Sequence, residues 1–257
     1  MRNWKMLVDV HCHLDFPHFD PDREEVIRKC LDNDIIIVNS IISLDRLDPF
    51  LDLAKKYENV YYTIGMPPTE LSSSLARNTL KEIEKHLATS RKFVGVGEVG
   101  LDYYWIKETE AREKEVENFH IFLDFIEKKK LPVVIHSRDA ERDVINILRE
   151  RNLKVLLHCF SGSKKLALEA VNLGYLISIP TSIAYSKQKQ MLAKELPLEN
   201  LVLETDSPFL AMKPKSRNEP INIKYSVEKI AKLKGIDKSK IEEVTFENSR
   251  EFFNLKV

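Results

Sequence analysis

Residues 8–16 read VDVHCHLDF, two histidines one residue apart in an apolar run, with an aspartate on either side of the pair. In a β-strand successive side chains point to opposite faces. Asp9, His11, His13 and Asp15 are therefore expected on one side, and Val8, Val10, Cys12 and Leu14 on the other. One face would be apolar and the other built to bind something.

Short runs rich in Val, Ile and Leu recur along the chain. After MLVDVHC (6–12) come DIIIVNS (34–40), VYYTIGM (60–66), FVGVGEVG (93–100), LPVVIHS (131–137), KVLLHCF (154–160), YLISIP (175–180) and LVLETD (201–206). Between them the apolar residues take helical spacing: Val26, Ile27, Cys30 and Leu31, then Leu47, Phe50, Leu51 and Ala54, then Val116, Phe119, Leu123 and Ile126. Ser163 is placed to cap a further helix and Gly174 to end it in a left-handed turn. Eight strand-plus-helix units with short connections predict an α/β fold, a (β/α)8 TIM barrel. No glycine-rich phosphate loop opens the first unit, which argues against a dinucleotide-binding sheet.

The 257 residues match the roughly 250 of one such barrel, and with only 7 Gly and no Pro- or Ser-rich tract nothing reads as a linker. A single domain over residues 1–257 is expected. Forty basic residues balance forty acidic ones, so global attraction to nucleic acid is excluded while a local basic rim is not. Cys12, Cys30 and Cys159 form neither an even-numbered framework nor a CxxC pair, which predicts free thiols and a reducing compartment. The start, MRNWKMLVDVHCHLDF, lacks a signal-peptide apolar stretch, and no segment approaches the roughly 20 apolar residues of a membrane span. The expected location is the cytoplasm.

Of seven histidines, His11, His13, His136 and His158 fall at the downstream ends of predicted strands. Barrel strands converge there on one face, the face on which active sites are built. His86 and His120 lie in amphipathic helices and are expected at the surface or an interface, and His18 lies in a loop. Glu98 ends the fourth strand among glycines that suit close backbone approach, and Asp206 ends the eighth just before Pro208. Any one of these residues alone has an ordinary structural reading: a hydrogen-bonded core histidine, a turn aspartate, a glutamate paired with arginine. Their joint placement favours a metal site, since burying so many polar groups without partners is costly. Imidazole and carboxylate together suit divalent metals such as Zn or Mn, and six donors exceed one tetrahedral site, so two ions sharing a carboxylate is the economical reading.

The motifs DVHCHLDF, GEVGLDYY, PVVIHSRDA, LLHCFSG, ETDSPFL, RNEP and NSREFF occur in this order over nearly the whole chain. Together they resemble the TatD family of metal-dependent deoxyribonucleases, within the amidohydrolase-like barrels. The resemblance implies phosphodiester hydrolysis in nucleic acid, with DNA as substrate, at two divalent ions (Zn, Mg or Mn). It also implies that His11, His13 and Asp206 bind one ion, that His136 and His158 hold the other, and that Glu98 bridges them. Asp206 is then suited to accept the proton of the attacking water, which makes Asp206 and Glu98 the catalytic carboxylates. One departure stands out. Family members commonly carry G-x-H-P-H after the third strand, whereas this chain has GMPPT, with Pro67 and Thr69 in place of the histidines. The loop SPFLAMKPKSRNEP is also shorter than the usual glycine-containing one.

Candidate substrate contacts on the same face are Arg138, two residues beyond His136, and Arg217, with Lys164, Lys165, Lys187, Lys189, Lys213 and Lys215 as a basic rim. Tyr103, Tyr104 and Trp105 are equally suited to stacking on bases and to packing a lid. Two other functions compete with a nuclease. One is ester or amide hydrolysis on a related barrel, including deacylation of tRNA; Glu98 stands where many such enzymes carry a carboxylated lysine. The other is a non-catalytic binding protein that kept the scaffold.

Overall fold

The computed structural model describes residues 6–213 and 215–256. The leader-free start expected from residues 1–16 falls partly outside this range, as does Pro214 of the loop after the eighth strand. All eight predicted strands form: β1 (Leu7–Cys12), β2 (Ile35–Ile41), β3 (Val60–Ile64), β4 (Phe93–Asp102), β5 (Pro132–Arg138), β6 (Lys154–Leu157), β7 (Leu176–Ile179) and β8 (Leu201–Leu203). They pair in parallel and in chain order. β8 meets β1 beyond its own end, where the Asp206 N–H donates to the His11 carbonyl at 2.9 Å and the His13 N–H to Ser207 at 2.7 Å. The Asp9 carboxylate fastens the same seam, accepting from the Thr205 N–H at 2.8 Å and the Thr205 hydroxyl at 2.5 Å.

Helices follow the strands: α1 (Arg23–Leu31), α2 (Leu47–Lys56), α3 (Ser73–Thr89), α4 (Thr109–Lys129), α5 (Glu141–Arg149), α6 (Lys164–Asn172), α7 (Lys187–Glu195), α8 (Ile223–Lys234) and α9 (Lys238–Phe253). The helix faces read from spacing are the buried ones, with Val26, Ile27 and Cys30 on α1, and Phe119, Leu123 and Ile126 on α4. The Ser163 hydroxyl accepts from the Leu166 N–H at the start of α6, and Gly174 sits beyond its end at a φ of +83°.

Two apolar clusters result. The larger lies between strands and helices. The smaller joins Val8, Val10, Ile36, Val38, Val134, Leu156 and Val202 to Phe252, Phe253 and Leu255, and includes no residue of α1 to α8. It is the barrel interior, closed at its base by the end of α9.

These clusters correct the expected faces of β1. Val8 and Val10 belong to the interior, but Cys12 and Leu14 belong to the outer cluster. The pairing with β2 slips by one residue between Asp9 and Cys12, Asp9 lying opposite Ile37 and Cys12 opposite Asn39. Such a bulge re-aims every side chain that follows it. Asp9 is thereby left on the seam, while His11 and His13 turn into the mouth. His86 is a second correction: it is buried, with its Nδ1 2.9 Å from the Tyr62 hydroxyl, because α3 turns it onto β3.

Candidate functional site

At the downstream end of the barrel six side chains from five strands meet. Glu98 Oε2 lies 3.0 Å from His11 Nε2 and 3.3 Å from His158 Nε2, while its Oε1 lies 3.9 Å from His136 Nδ1. Asp206 Oδ1 is 3.6 Å from His11 Nε2 and 3.5 Å from His13 Nε2. Three overlapping triads bring donor atoms within 4.8 Å of one another: His11, His13 and Glu98; His11, His158 and Asp206; and Glu98, His136 and His158. All six predicted ligand candidates are thus brought together.

Glycines make room for this. A Cβ at Gly65 would overlap the Glu98 carbonyl, and one at Gly100, with φ +154°, would overlap that of His136. β3, β4 and β5 can close around Glu98 only with hydrogen at these positions. Asp206 itself adopts φ +55°, a left-handed conformation that aspartate tolerates better than most residues.

The outer partners of the histidines fix where the free lone pairs point. His13 Nδ1 lies 2.9 Å from the Ser40 carbonyl and His136 Nε2 3.1 Å from Asp102 Oδ2. Both partners only accept, so those nitrogens carry protons and the opposite ones face the site. There, His13 Nε2 is 3.2 Å from His11 Nε2, and His136 Nδ1 is 3.1 Å from His158 Nε2. In the neutral imidazoles the lone pairs of His13 Nε2 and His136 Nδ1 therefore point into the cluster, the orientation a metal ligand needs. A divalent metal fits this donor set.

The electrostatics agree. Burial lowers the pKa of His13, but the Asp206 hydrogen bond and the Glu98 charge outweigh it and lift the group to about 9. His158 likewise rises to about 9, burial being outweighed by Glu98 and Glu204. His11 is lowered, by burial and by repulsion from His158. Burial also works to raise Glu98 and Asp206, yet the imidazoles hold both below the usual carboxylate range. Ionised carboxylates beside the raised imidazoles of His13 and His158 are what a metal site looks like when protons take the cations' place.

Two supporting residues went unassigned in the sequence. Asp102 ends β4, four residues after Glu98 in GEVGLDYY; it bonds His136 through Oδ2 and takes the N–H groups of Tyr104 and Trp105 on Oδ1, each at 3.0 Å. Glu204, fully buried two residues before Asp206, lies 3.6 Å from His158 Nδ1. The signal for both was a carboxylate within a motif that already held a ligand candidate.

A cavity of about 330 Å3 adjoins the cluster, lined among others by His136, Arg138, His158, Tyr185 and Asp206. Arg138 is exposed there, its guanidinium 3.7 Å from the Tyr104 ring centre, and no carboxylate among the described residues pairs with it. Other predicted contacts are differently employed. Arg217 grips Asp22 through both terminal nitrogens at 2.6 Å, adds Glu219 at 3.1 Å and lies over the Phe19 ring, so its guanidinium braces loops instead of waiting for a phosphate. Lys189 is buried and donates to the Cys159 and Phe160 carbonyls at 2.8 and 2.6 Å, which removes it from the rim. Lys164 pairs with Glu195 at 2.6 Å. Tyr103 donates to Asp143 and packs under Arg112, whereas Tyr104 and Trp105 remain exposed. At the β3 end, where histidines were missing, the Glu70 N–H closes a turn onto Pro67 at 2.9 Å and Thr69 is exposed.

Comparison with known proteins gives concordant matches. The family described as TatD related DNase matches residues 8–254. The chain is 36% identical over 261 residues, all of both chains, to the uncharacterized metal-dependent hydrolase MJ1582 of Methanocaldococcus jannaschii. It is also 36% identical to the deoxyribonuclease TATDN3 of Homo sapiens, over 96% of this chain and 94% of that one. Among solved structures, the TatD homologue YJJV of Escherichia coli matches with a TM-score of 0.89 at 26% identity, covering 99% of this chain and 100% of that one.

Proposed function

The chain belongs to the TatD-related DNase family of metal-dependent hydrolases, and on that premise we propose that it hydrolyses phosphodiester bonds in DNA at a pair of divalent ions. The observation that carries this reading is the convergence of four imidazoles with Glu98 and Asp206, whose donor atoms form three overlapping triads within 4.8 Å. In this proposal His11, His13 and Asp206 hold one ion, His136 and His158 the other, and Glu98 both. Four imidazoles with two carboxylates suit Zn or Mn better than Mg, which prefers oxygen ligands. Divalent ions in such a site supply Lewis acidity at the phosphoryl group and raise the nucleophilicity of water near neutral pH.

The chain's own groups do the rest. Asp206, ionised at neutral pH, accepts the proton that water loses as it attacks phosphorus. Asp102 and the Ser40 carbonyl hold His136 and His13 in single tautomers, so the site needs no reorganisation as charge develops. Arg138 contacts a substrate phosphate beside the cavity. Residues 1–257 act as one domain. No described helix is long and apolar enough to cross a membrane. The three unpaired thiols suit the cytoplasm, where they stay reduced.

The test is to strip the protein of metal, reconstitute it with Mn or Zn, and offer labelled single-stranded DNA alongside simple esters. The expected result is two ions per chain by elemental analysis and DNA cleavage that Asp206→Asn and Glu98→Ala abolish. Ester turnover without DNA cleavage would transfer the chain to the ester-hydrolase reading.

A further inference from the structure

Beside the proposed centre the β4–α4 loop presents an arrangement of exposed rings that the metal site does not use. Trp105, at 65%, is the most exposed large apolar side chain among the described residues, and its neighbour Tyr104 is 43% exposed. Their ring centres lie 5.0 Å apart at 87°, a T-shaped contact that holds the indole against the phenol ring. The Arg138 guanidinium stacks 3.7 Å over Tyr104 and reaches 5.9 Å from the Trp105 ring. A guanidinium stacked by its face keeps its N–H edge for a phosphate.

The platform is keyed to the site through one carboxylate. Asp102 Oδ1 accepts the backbone N–H groups of Tyr104 and Trp105, and Asp102 Oδ2 orients His136. The position of the rings is therefore tied to the position of a proposed ligand.

From this we infer that Trp105, set by Tyr104, is a positioning residue that stacks on an unpaired nucleobase next to the scissile phosphate, while Arg138 takes the phosphate of that nucleotide. The inference rests on the nuclease reading above and adds to it a selection for bases free of a duplex. A paired base has both faces covered by its neighbours, whereas an unpaired one offers a face to the indole. Such stacking tolerates any base, because every base has a π-face.

Binding, measured apart from hydrolysis, tests it. The full-length metal-loaded protein is titrated into a fluorescently labelled single strand with cleavage-resistant phosphorothioate linkages, and into the same backbone carrying abasic sites. The base-bearing strand is expected to bind about 10- to 100-fold more tightly than the abasic one, the usual worth of one base on one aromatic ring. Trp105→Ala should erase that difference and Trp105→Phe should restore most of it. Equal binding of the two strands by the unaltered protein overturns the inference, as does an equal loss for both strands in Trp105→Ala. A Trp105→Ala protein that discriminates normally but changes its elution volume would assign the ring to contact between copies and overturn it too. Failure to hydrolyse any DNA strikes the nuclease reading alone, since base discrimination is read without turnover.

Discussion

His136 Nε2 and Asp102 Oδ2 lie 3.1 Å apart, and the other oxygen of the same carboxylate is filled by two backbone N–H groups. Asparagine has a single acceptor oxygen and cannot serve both sides. Asp102→Asn should therefore weaken metal binding by about 10- to 100-fold, the common cost of losing a ligand's outer partner. Titration calorimetry with Zn or Mn checks this, and unchanged affinity would show that His136 does not depend on Asp102.

Metal binding should release protons. His13 and His158, both near 9 without a cation, are protonated at pH 7 and must shed those protons to become ligands. Two protons per chain are expected at pH 7. Affinity should climb with pH by up to about two decades per unit between 7 and 9 and then level off. Calorimetry in buffers of different ionisation enthalpy counts the protons, and a count of zero contradicts the proposed ligand roles.

Glu115 on α4 gives a stability prediction of the opposite sense from most carboxylates. Burial raises its pKa to about 7; its bond to the Asp102 N–H opposes the rise and the Asp102 charge adds to it. Between 4.5 and 7 the folded state binds more protons at this group than the unfolded chain does, so its contribution to stability falls as pH rises through that window. Glu115→Gln keeps an acceptor for the Asp102 N–H and has no charge to bury. The melting temperature of the variant relative to the parent should increase from pH 5 to pH 8 in scanning calorimetry, and a flat difference refutes the assignment.

Arg138 separates binding from chemistry. Its guanidinium stacks on Tyr104 beside the cavity without a carboxylate partner among the described residues. Arg138→Ala should raise KM for a DNA strand more than it lowers kcat. Steady-state kinetics decide, an unchanged KM removing Arg138 from substrate binding.

The barrel and the six converging donors were legible because both depend on strand ends, and apolar runs mark strand ends well. FVGVGEVG also announced the tight approach around Glu98 through its glycines. What escaped reading was decided by contacts between distant segments. The bulge in β1 is a property of its pairing with β2, invisible in the alternation of VDVHCHLDF. His86 is buried because α3 turns it toward Tyr62, a contact that helical spacing alone did not resolve. Lys189 and Arg217 looked like phosphate contacts until Cys159, Phe160 and Asp22 were seen to claim them. Asp102 and Glu204 are recognisable as supports only once the imidazoles they face are in place.

The seam between β1 and β8 also governs when the centre exists. His11 and His13 leave the ribosome early, but Asp206 follows almost two hundred residues later, and Asp9 has nothing to fasten until Thr205 arrives. The aromatic pair Phe252 and Phe253 that fills the barrel base emerges later still. A nascent chain lacking these segments has neither the full set of donors nor a packed interior to hold them, so the six side chains come together only after residues 201–253 have been made.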